Sequence, residues 1–193
     1  MKAIFTNNFY FQYRMPEFAA LVDRLPKNDV VDKNFTWGDL CKIDRTSLHI
    51  DDYADLLTKP LELLSQELRV EFHARILHPW VNLYKKGSFQ EVHYHDDCDI
   101  AAVVFLNDGP DFSKFYFWDA SHTAFTKPWI KIITKMQLSN IYYPSVKAGD
   151  VILFPSHMFH GVTPHKSDEV RKTIAFNIII EGINIPELAD GNN

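Results

Sequence analysis

The sequence predicts a mainly β protein whose helices are confined to its N-terminal part. From about Phe72 onward, short runs rich in Val, Ile, Phe, Tyr and Trp are broken by turn residues at intervals of roughly ten residues, which is typical of β-sandwiches and barrels. Before that point, leucines recur at helical spacing. We therefore expect two or three helices followed by a core of two β-sheets.

The N-terminal elements follow from local residue patterns. Near-alternating aromatic and β-branched residues predict a first strand within residues 2–13. Pro16 suits the first turn of a helix and precedes a short run of apolar residues at helical spacing. The polar segment from Lys27 to Asp44 is expected to be a loop. A further helix is expected from Asp51 to about Val70, with Pro60 placed to split or kink it.

The β core is bounded by turn residues. The expected strands are 72–84, 89–95, 99–107, 112–118, 129–137, 141–146, 149–155, 158–163 and 171–181. A chain of 193 residues is long enough for one domain with a substantial core. We therefore expect a single domain over 1–193, with a helical part at 1–70 and the β core at 71–183.

The composition argues against several classes of function. The 20 Lys plus Arg and 25 Asp plus Glu give a net charge of −5, so the chain as a whole is not an electrostatic binder of nucleic acid or anionic lipid. The N-terminus has no long apolar run and predicts neither a signal peptide nor a membrane anchor. Two cysteines without a secreted disulfide pattern fit a reducing cytoplasm. The oligomeric state is left open, with a homodimer as one alternative.

The histidines are the candidates for metal chemistry. His93 and His95 lie two residues apart in a predicted strand, so their side chains point to the same face and their backbone positions are about 7 Å apart. Two solvated histidines on a polar face remain an equal alternative for this pair alone. His160, which follows a distant apolar strand, would close a three-ligand site with open positions, as a catalytic metal requires. His157 is expected to be a neighbour and not a ligand.

Arg171 is a candidate for binding an anion. It begins the strand Lys-Thr-Ile-Ala-Phe-Asn-Ile-Ile-Ile, and an arginine that enters an apolar barrel needs an anionic partner. Its planar guanidinium fits a carboxylate through two hydrogen bonds. Thr173, on the same face, could donate its hydroxyl to the same carboxylate. The alternative is a rim arginine paired with Asp168 or Glu169.

Several segments occur in an order and spacing more specific than any single motif. They are Trp80-Val-Asn-Leu-Tyr-Lys-Lys-Gly, Glu91-Val-His-Tyr-His, Ile100-Ala-Ala-Val-Val-Phe-Leu, Phe154-Pro-Ser with His160-Gly-Val-Thr-Pro, and Arg171-Lys-Thr-Ile-Ala-Phe-Asn. This combination, over about residues 78–180, resembles the iron(II)/2-oxoglutarate-dependent oxygenases of marine bacteria and their phages. These oxygenases are distantly similar to prolyl 4-hydroxylases.

The resemblance implies a fold and a set of site residues. The fold would be a double-stranded β-helix, or jelly-roll, with Fe(II) held in its mouth by His93, His95 and His160. Arg171 and Thr173 would hold the distal carboxylate of 2-oxoglutarate. Lining residues of the co-substrate pocket would be Tyr84, Asn82 and Asn177, and Gln90 and Trp118 would lie near the substrate opening.

The His-x-His register departs from the usual motif of these oxygenases. Most of them carry His-x-Asp or His-x-Glu, and a shift of two residues would restore that form as His95-Asp96-Asp97. A carboxylate ligand from Asp97 would offset part of the ferrous charge. The spacing to the following strand favours His93 and His95, and the alternative set of His95, Asp97 and His160 stays open.

The function that the resemblance implies is hydroxylation of a small molecule or a peptide, with succinate and CO2 as co-products. The cofactors would be Fe(II) and 2-oxoglutarate. One alternative is a cupin-like metal-binding module without turnover. Another is a dioxygenase with three histidine ligands that does not use 2-oxoglutarate. A structural jelly-roll is disfavoured because the histidines cluster.

Overall fold

The computed structural model describes residues 8–27, 41–120, 127–129 and 139–184. The predicted strand at 129–137 lies outside these ranges except for its first residue, and so do residues 2–7 of the first predicted strand. Among the helices that the structure describes, none combines the length and apolar character that a membrane span requires.

The described residues form ten strands and a few short helices. In chain order the elements are β1 (Phe11–Arg14), α1 (Phe18–Arg24), β2 (Asp44–Ser47), a 3-10 turn (Ile50–Asp52), α2 (Ala54–Leu57), α3 (Lys59–Leu68), β3 (Glu71–Tyr84), β4 (Gln90–His93), β5 (Ile100–Phe105), β6 (Phe115–Trp118), β7 (Ile141–Tyr142), β8 (Asp150–Pro155), β9 (His160–Val162) and β10 (Arg171–Asn184). Most predicted strands of the core are therefore present, several of them shorter than expected.

The strands form two antiparallel sheets. The larger sheet has six strands in the order β1-β8-β5-β10-β3-β2, and the smaller has four in the order β4-β9-β6-β7. Most neighbours in each sheet are not consecutive strands of the chain, as β8 between β1 and β5 illustrates. These pairings produce the mainly β, double-sheet core that the sequence predicted.

Side chains of the larger sheet divide between its two faces because successive residues of a strand point in opposite directions. On one face, Val81 and Leu83 of β3 belong to a buried cluster that includes Leu57 and Leu64 of the helices. On the other face, Tyr84 belongs to a second cluster with residues of the smaller sheet, such as Phe117. The helices therefore cover the outside of the larger sheet, and the space between the sheets is left for the second cluster and the candidate site.

The N-terminal part differs from the expectation in two ways. The helix predicted over Asp51–Val70 is split next to Pro60, as expected, but it also begins with a separate 3-10 turn before α2; Pro60 occupies the first turn of α3, where a missing N–H costs nothing. Strand β2 was not predicted, and it pairs with β3 at the edge of the larger sheet. Its sequence, Asp-Arg-Thr-Ser, contains no apolar side chain, so no apolar alternation marked it. The part over 1–70 is consequently not purely helical, because β1 and β2 form the two edges of that sheet.

A bulge interrupts β3 beside the space between the sheets. Trp80 pairs with Ala175 and Leu77 pairs with Asn177, so His78 and Pro79 together oppose a single residue of β10. His78 has a positive φ of 27°, which is uncommon for a residue other than glycine. Bulges bend a strand and re-aim its side chains, and they are frequent next to active sites.

Candidate metal centre

Three histidines meet where β4 ends beside the start of β9 in the smaller sheet. His93 ends β4 and pairs directly with His160, the first residue of β9. His95 follows β4, where its backbone N–H donates to the carbonyl of Ser156 at 2.9 Å. One ring nitrogen from each histidine lies within 4.8 Å of one from each of the others. The structure therefore brings together the three residues that the sequence nominated as metal ligands.

Each of the three rings is oriented by a hydrogen bond from Nδ1. His93 donates to the carbonyl of Glu91 at 2.8 Å, and His160 donates to the carbonyl of Met158 at 2.9 Å. His95 bonds the side-chain oxygen of Asn177 at 2.8 Å. Carbonyl oxygens only accept, so Nδ1 carries the proton in each ring and the lone pair of each neutral imidazole lies on Nε2. Three Nε2 lone pairs from one cluster are a ready set of metal ligands.

Burial keeps these imidazoles neutral. Desolvation, together with a smaller effect of the neighbouring His95, lowers the pKa of His93 to about 4, although the hydrogen bond to the Glu91 carbonyl acts in the opposite direction. Burial likewise lowers the pKa of His95 and, more strongly, that of His160, which is only 5% exposed. A neutral imidazole is the form that binds a metal, so the site needs no deprotonation near neutral pH.

Asp97 belongs to a different group of side chains. Its carboxylate lies near His95 and the thiol of Cys98, and among the described residues it does not join a group with His160. His157 is exposed and also lies outside the three-histidine group. This geometry supports the His-x-His register over the alternative that uses Asp97.

Arg171 lies deep in the space between the sheets. It begins β10, is 4% exposed, and stands directly opposite Tyr84 of β3. Its Nη1 is buried and has no hydrogen-bond partner. The rim alternative is not supported, since Asp168 pairs with Lys86 instead. A buried guanidinium with an unsatisfied donor is costly in isolation, and an anionic ligand would satisfy it.

One inner cavity connects Arg171 to the three histidines. The eight residues proposed from the sequence as metal ligands or co-substrate contacts all line it: Asn82, Tyr84, His93, His95, His160, Arg171, Thr173 and Asn177. Thr173 pairs across the strands with Asn82, which places both on the inner face of the larger sheet. The Tyr84 hydroxyl donates to Gln90 Oε1 at 2.9 Å, and Gln90 Nε2 lies 3.4 Å from His93 Nε2. These polar groups link the arginine end of the cavity to the histidine end.

A second, outer cavity of about 330 Å³ opens beside the same histidines. Gln90 lines it, as expected for a residue near the substrate opening. Trp118 does not; it lies in another cavity, against the ring of Phe159. The sequence had given no role to Arg45, which also lines the outer cavity. Its strand β2 was not predicted, so no signal marked it as a residue of the site.

A sequence model of the family described as "Putative 2OG-Fe(II) oxygenase" matches residues 78–177, which is more than half of the chain. The chain belongs to this 2OG-Fe(II) oxygenase family. The oxygenase is thus 2-oxoglutarate-dependent, and the cofactors of its family are Fe(II) and 2-oxoglutarate, as the sequence predicted. The family favours this function over the cupin-like module and the dioxygenase that does not use 2-oxoglutarate.

Solved structures support the fold of this oxygenase. HygX from Streptomyces hygroscopicus, with nickel and 2-oxoglutarate bound, has 18% identity and a TM-score of 0.62 over 89% of this chain and 82% of its own. A prolyl-4-hydroxylase from Pseudomonas putida has 16% identity and a TM-score of 0.61 over 91% of this chain and 94% of its own. The epimerase SnoN from nogalamycin biosynthesis has 18% identity and a TM-score of 0.62 over 91% of this chain and 80% of its own. The predicted double-stranded β-helix is confirmed. No curated protein matches the oxygenase in sequence.

Proposed function

We propose that the oxygenase binds Fe(II) through Nε2 of His93, His95 and His160 and anchors 2-oxoglutarate on Arg171. The reaction would hydroxylate a small molecule or a peptide and release succinate and CO2. The observation that carries this proposal is the buried, unsatisfied Nη1 of Arg171 at one end of the cavity whose other end holds the three histidines.

The histidine cluster fits a ferrous ion. Imidazole suits iron, and three protein ligands leave positions open for a co-substrate and for oxygen. Three neutral imidazoles leave the double charge of the ion uncompensated by protein, and the carboxylate of 2-oxoglutarate nearest the metal would offset part of it, since the distal carboxylate would pair with Arg171. Nickel or zinc could bind the same nitrogens, because raw affinity does not select iron and selection depends on which metal is available.

The polar side chains that line the inner cavity suit the two carboxylates of 2-oxoglutarate. The Arg171 guanidinium would hold the distal carboxylate with two parallel hydrogen bonds, and the Thr173 hydroxyl would add a third. Tyr84 and Asn82 would complete the polar wall along β3. Asn177 also lines the cavity, and its bond to His95 gives it a positioning role for the metal site.

Bound iron and 2-oxoglutarate supply the oxidising chemistry, and the protein supplies geometry and a dry site. Phe115, Phe154 and Val162 line the apolar part of the inner cavity and exclude water from it. The backbone and amide oxygens that receive the Nδ1 protons hold the three rings in one orientation. Rings held in a fixed orientation would present their three Nε2 atoms to one metal ion without rearrangement.

We infer that the substrate is a small molecule or a peptide, because the net charge of −5 disfavours a polyanion such as nucleic acid. We also infer a cytoplasmic location, since Cys41 and Cys98 are both free thiols. A homodimer stays an open alternative.

The test is 2-oxoglutarate turnover by purified protein reconstituted with Fe(II) in air. We expect succinate to form only when Fe(II), 2-oxoglutarate and oxygen are all present, even without a primary substrate, as slow uncoupled turnover. Absence of succinate from a folded, iron-loaded protein would contradict the proposal. Turnover that consumes oxygen without 2-oxoglutarate would favour the three-histidine dioxygenase instead.

A further inference from the structure

Gln90 lies between the two cavities, because its side chain lines both the inner and the outer one. Its two polar atoms have different neighbours. Gln90 Oε1 accepts from the Tyr84 hydroxyl at 2.9 Å, and Gln90 Nε2 lies 3.4 Å from His93 Nε2. One amide therefore joins the tyrosine that stands opposite Arg171 to the nitrogen of His93 that would bind iron.

The neighbours of Gln90 fix the orientation of its amide. Burial raises the pKa of Tyr84, so the phenol is neutral and donates its proton to Gln90 Oε1. His93 donates its Nδ1–H to the Glu91 carbonyl, so Nε2 of the same ring carries a lone pair and can only accept. The Gln90 N–H group is therefore the donor toward His93. A flipped amide would set a carbonyl oxygen against that lone pair.

A bulge in β4 brings the side chains of Gln90 and His93 together. Residues three apart on a regular strand point to opposite faces of the sheet. Here Gln90 pairs with Val162 and His93 pairs with His160, so three steps along β4 match two steps along β9. The extra residue re-aims the side chains on either side of it. A Cβ at Gly161 would lie 2.9 Å from the Gln90 carbonyl oxygen, so glycine is needed for the close approach of the two strands.

Iron bound by the three histidines would remove the acceptor of this N–H group. The metal would occupy the lone pair of His93 Nε2, and a contact of 3.4 Å is long for a hydrogen bond and is readily given up. A half-buried donor without an acceptor is costly until it finds another. Because Tyr84 still holds Gln90 Oε1, the N–H group stays beside the metal. The oxygens through which 2-oxoglutarate would bind the metal supply the acceptor that it needs.

We propose that Gln90 is a positioning residue whose amide N–H moves from His93 to a metal-side oxygen of 2-oxoglutarate. This inference rests on the proposed function, because it takes His93 as a metal ligand and 2-oxoglutarate as the co-substrate. A hydrogen bond to a charged oxygen is stronger than one to a neutral nitrogen, so the exchange favours co-substrate binding once iron is present. The co-substrate is then held at both ends, by Arg171 and by Gln90.

The experiment is anaerobic titration of the Fe(II)-loaded protein with 2-oxoglutarate, followed by its visible charge-transfer band. Gln90→Met removes both polar atoms and should raise the Kd for 2-oxoglutarate by about 10-fold or more, the usual effect of losing a hydrogen bond to a charged group. The band should also move to shorter wavelength, because the lost hydrogen bond stabilises the orbital of 2-oxoglutarate that receives the electron. An unchanged Kd with an unchanged band would overturn the inference.

Gln90→Glu separates the contact with the co-substrate from the contact with Tyr84. The variant keeps the length of the side chain and an acceptor for the Tyr84 hydroxyl, but it replaces the N–H donor by an oxygen. At about pH 8, where a glutamate is ionised, we expect its Kd for 2-oxoglutarate to be at least as high as that of Gln90→Met. The affinity of the unmodified protein in Gln90→Glu would show that Gln90 acts only through Tyr84, and would overturn the inference.

Gln66→Met is the matched control, since Gln66 is exposed on α3 and lines neither cavity. It should leave the Kd and the band unchanged. Fe(II) stoichiometry after anaerobic loading should stay at one per chain in both Gln90 variants, because Gln90 is not a ligand. Failure of both variants to load Fe(II) would overturn the inference, since Gln90 would then support the metal site itself.

Binding by the unmodified protein separates this inference from the proposed function. If the unmodified protein binds Fe(II) and 2-oxoglutarate, and both Gln90 variants bind the co-substrate equally well, this inference alone fails. If the unmodified protein binds Fe(II) but does not bind 2-oxoglutarate, the proposed function itself fails.

Discussion

Arg171 stands directly opposite Tyr84 across the β10–β3 pair, with its guanidinium carbon 4.8 Å from the centroid of the phenol ring. The centroid of the Phe105 ring lies 5.6 Å from the same guanidinium carbon. The rings of Tyr84 and Phe105 together hold the cation between the two sheets. No carboxylate is paired with it among the residues that the structure describes. The arrangement is that of a cation prepared for an anionic ligand, and it leads to the first prediction.

Arg171→Met should separate co-substrate binding from stability. Loss of a buried two-point carboxylate contact should raise the KM for 2-oxoglutarate by about 10²-fold or more, equivalent to about 3 kcal/mol. In the absence of 2-oxoglutarate, replacing a desolvated guanidinium by an apolar side chain should leave the unfolding free energy unchanged or raise it. Steady-state kinetics and urea unfolding measure the two effects. An unchanged KM would remove Arg171 from the co-substrate site, and Arg75→Met controls for loss of a surface charge.

His160→Ala should abolish Fe(II) binding. It removes the ligand that β9 contributes and leaves two nitrogens, which cannot hold the ion at one face. His157→Ala, three residues earlier and exposed, is the matched control and should bind iron normally. Metal content after anaerobic loading and desalting measures the difference. Retention of one Fe(II) per chain by His160→Ala would exclude the ligand assignment.

His93→Ala and Asp97→Asn distinguish the two possible ligand registers. Because Asp97 does not group with His160, we expect Asp97→Asn to load iron fully and His93→Ala to lose it. The readout is again Fe(II) stoichiometry, with folding checked by circular dichroism. The reverse pattern would assign the metal to His95, Asp97 and His160.

Asn177→Leu should weaken iron binding without removing a ligand. The variant loses the acceptor for His95 Nδ1–H, so the ring is free to rotate and to change tautomer. Loss of such a partner commonly costs about 10- to 100-fold in metal affinity. Competition with a calibrated chelator measures the change, and Asn177→Asp should restore affinity because it keeps an acceptor. Unchanged affinity in Asn177→Leu would show that the bond does not orient His95.

The metal-free protein should lose stability as the pH falls through the range below about 6.5, the usual pKa of histidine. The folded pKa of His93 is lowered to about 4, so the unfolded chain binds more protons between these values and is favoured there. His93 alone should contribute a loss of roughly 2 kcal/mol between pH 7 and pH 5, and His95 and His160 add in the same direction. Urea unfolding as a function of pH tests this. His93→Leu should reduce the slope, and an equal slope in both proteins would contradict the prediction.

The sequence marked the residues that line the inner cavity more clearly than it marked the borders of the strands. Their side chains are chemically unusual beside apolar strands, and their order and spacing resemble those of the oxygenase motifs; these features marked His93, His95, His160 and Arg171. That β4 pairs with β9 so that His93 meets His160 depends on long-range pairing, which no local pattern encodes.

Residues without a local signature could not be predicted. Arg45 occupies the outer cavity because β2 adds to the edge of the larger sheet, and the four residues of that strand resemble a polar loop. Trp118 was expected at the substrate opening, but the direction of its side chain depends on packing against Phe159. Strand type and edge position are set by the rest of the sheet and not by the segment itself.

The central claim is that one cavity holds Fe(II) on three histidines and 2-oxoglutarate on Arg171. Anaerobic titration of the iron-loaded protein with 2-oxoglutarate tests it most directly. We predict a weak visible charge-transfer band that saturates at one 2-oxoglutarate per Fe(II), is absent from His160→Ala, and needs about 10²-fold more 2-oxoglutarate in Arg171→Met. Stoichiometric iron binding with no band at any concentration of 2-oxoglutarate would contradict the account.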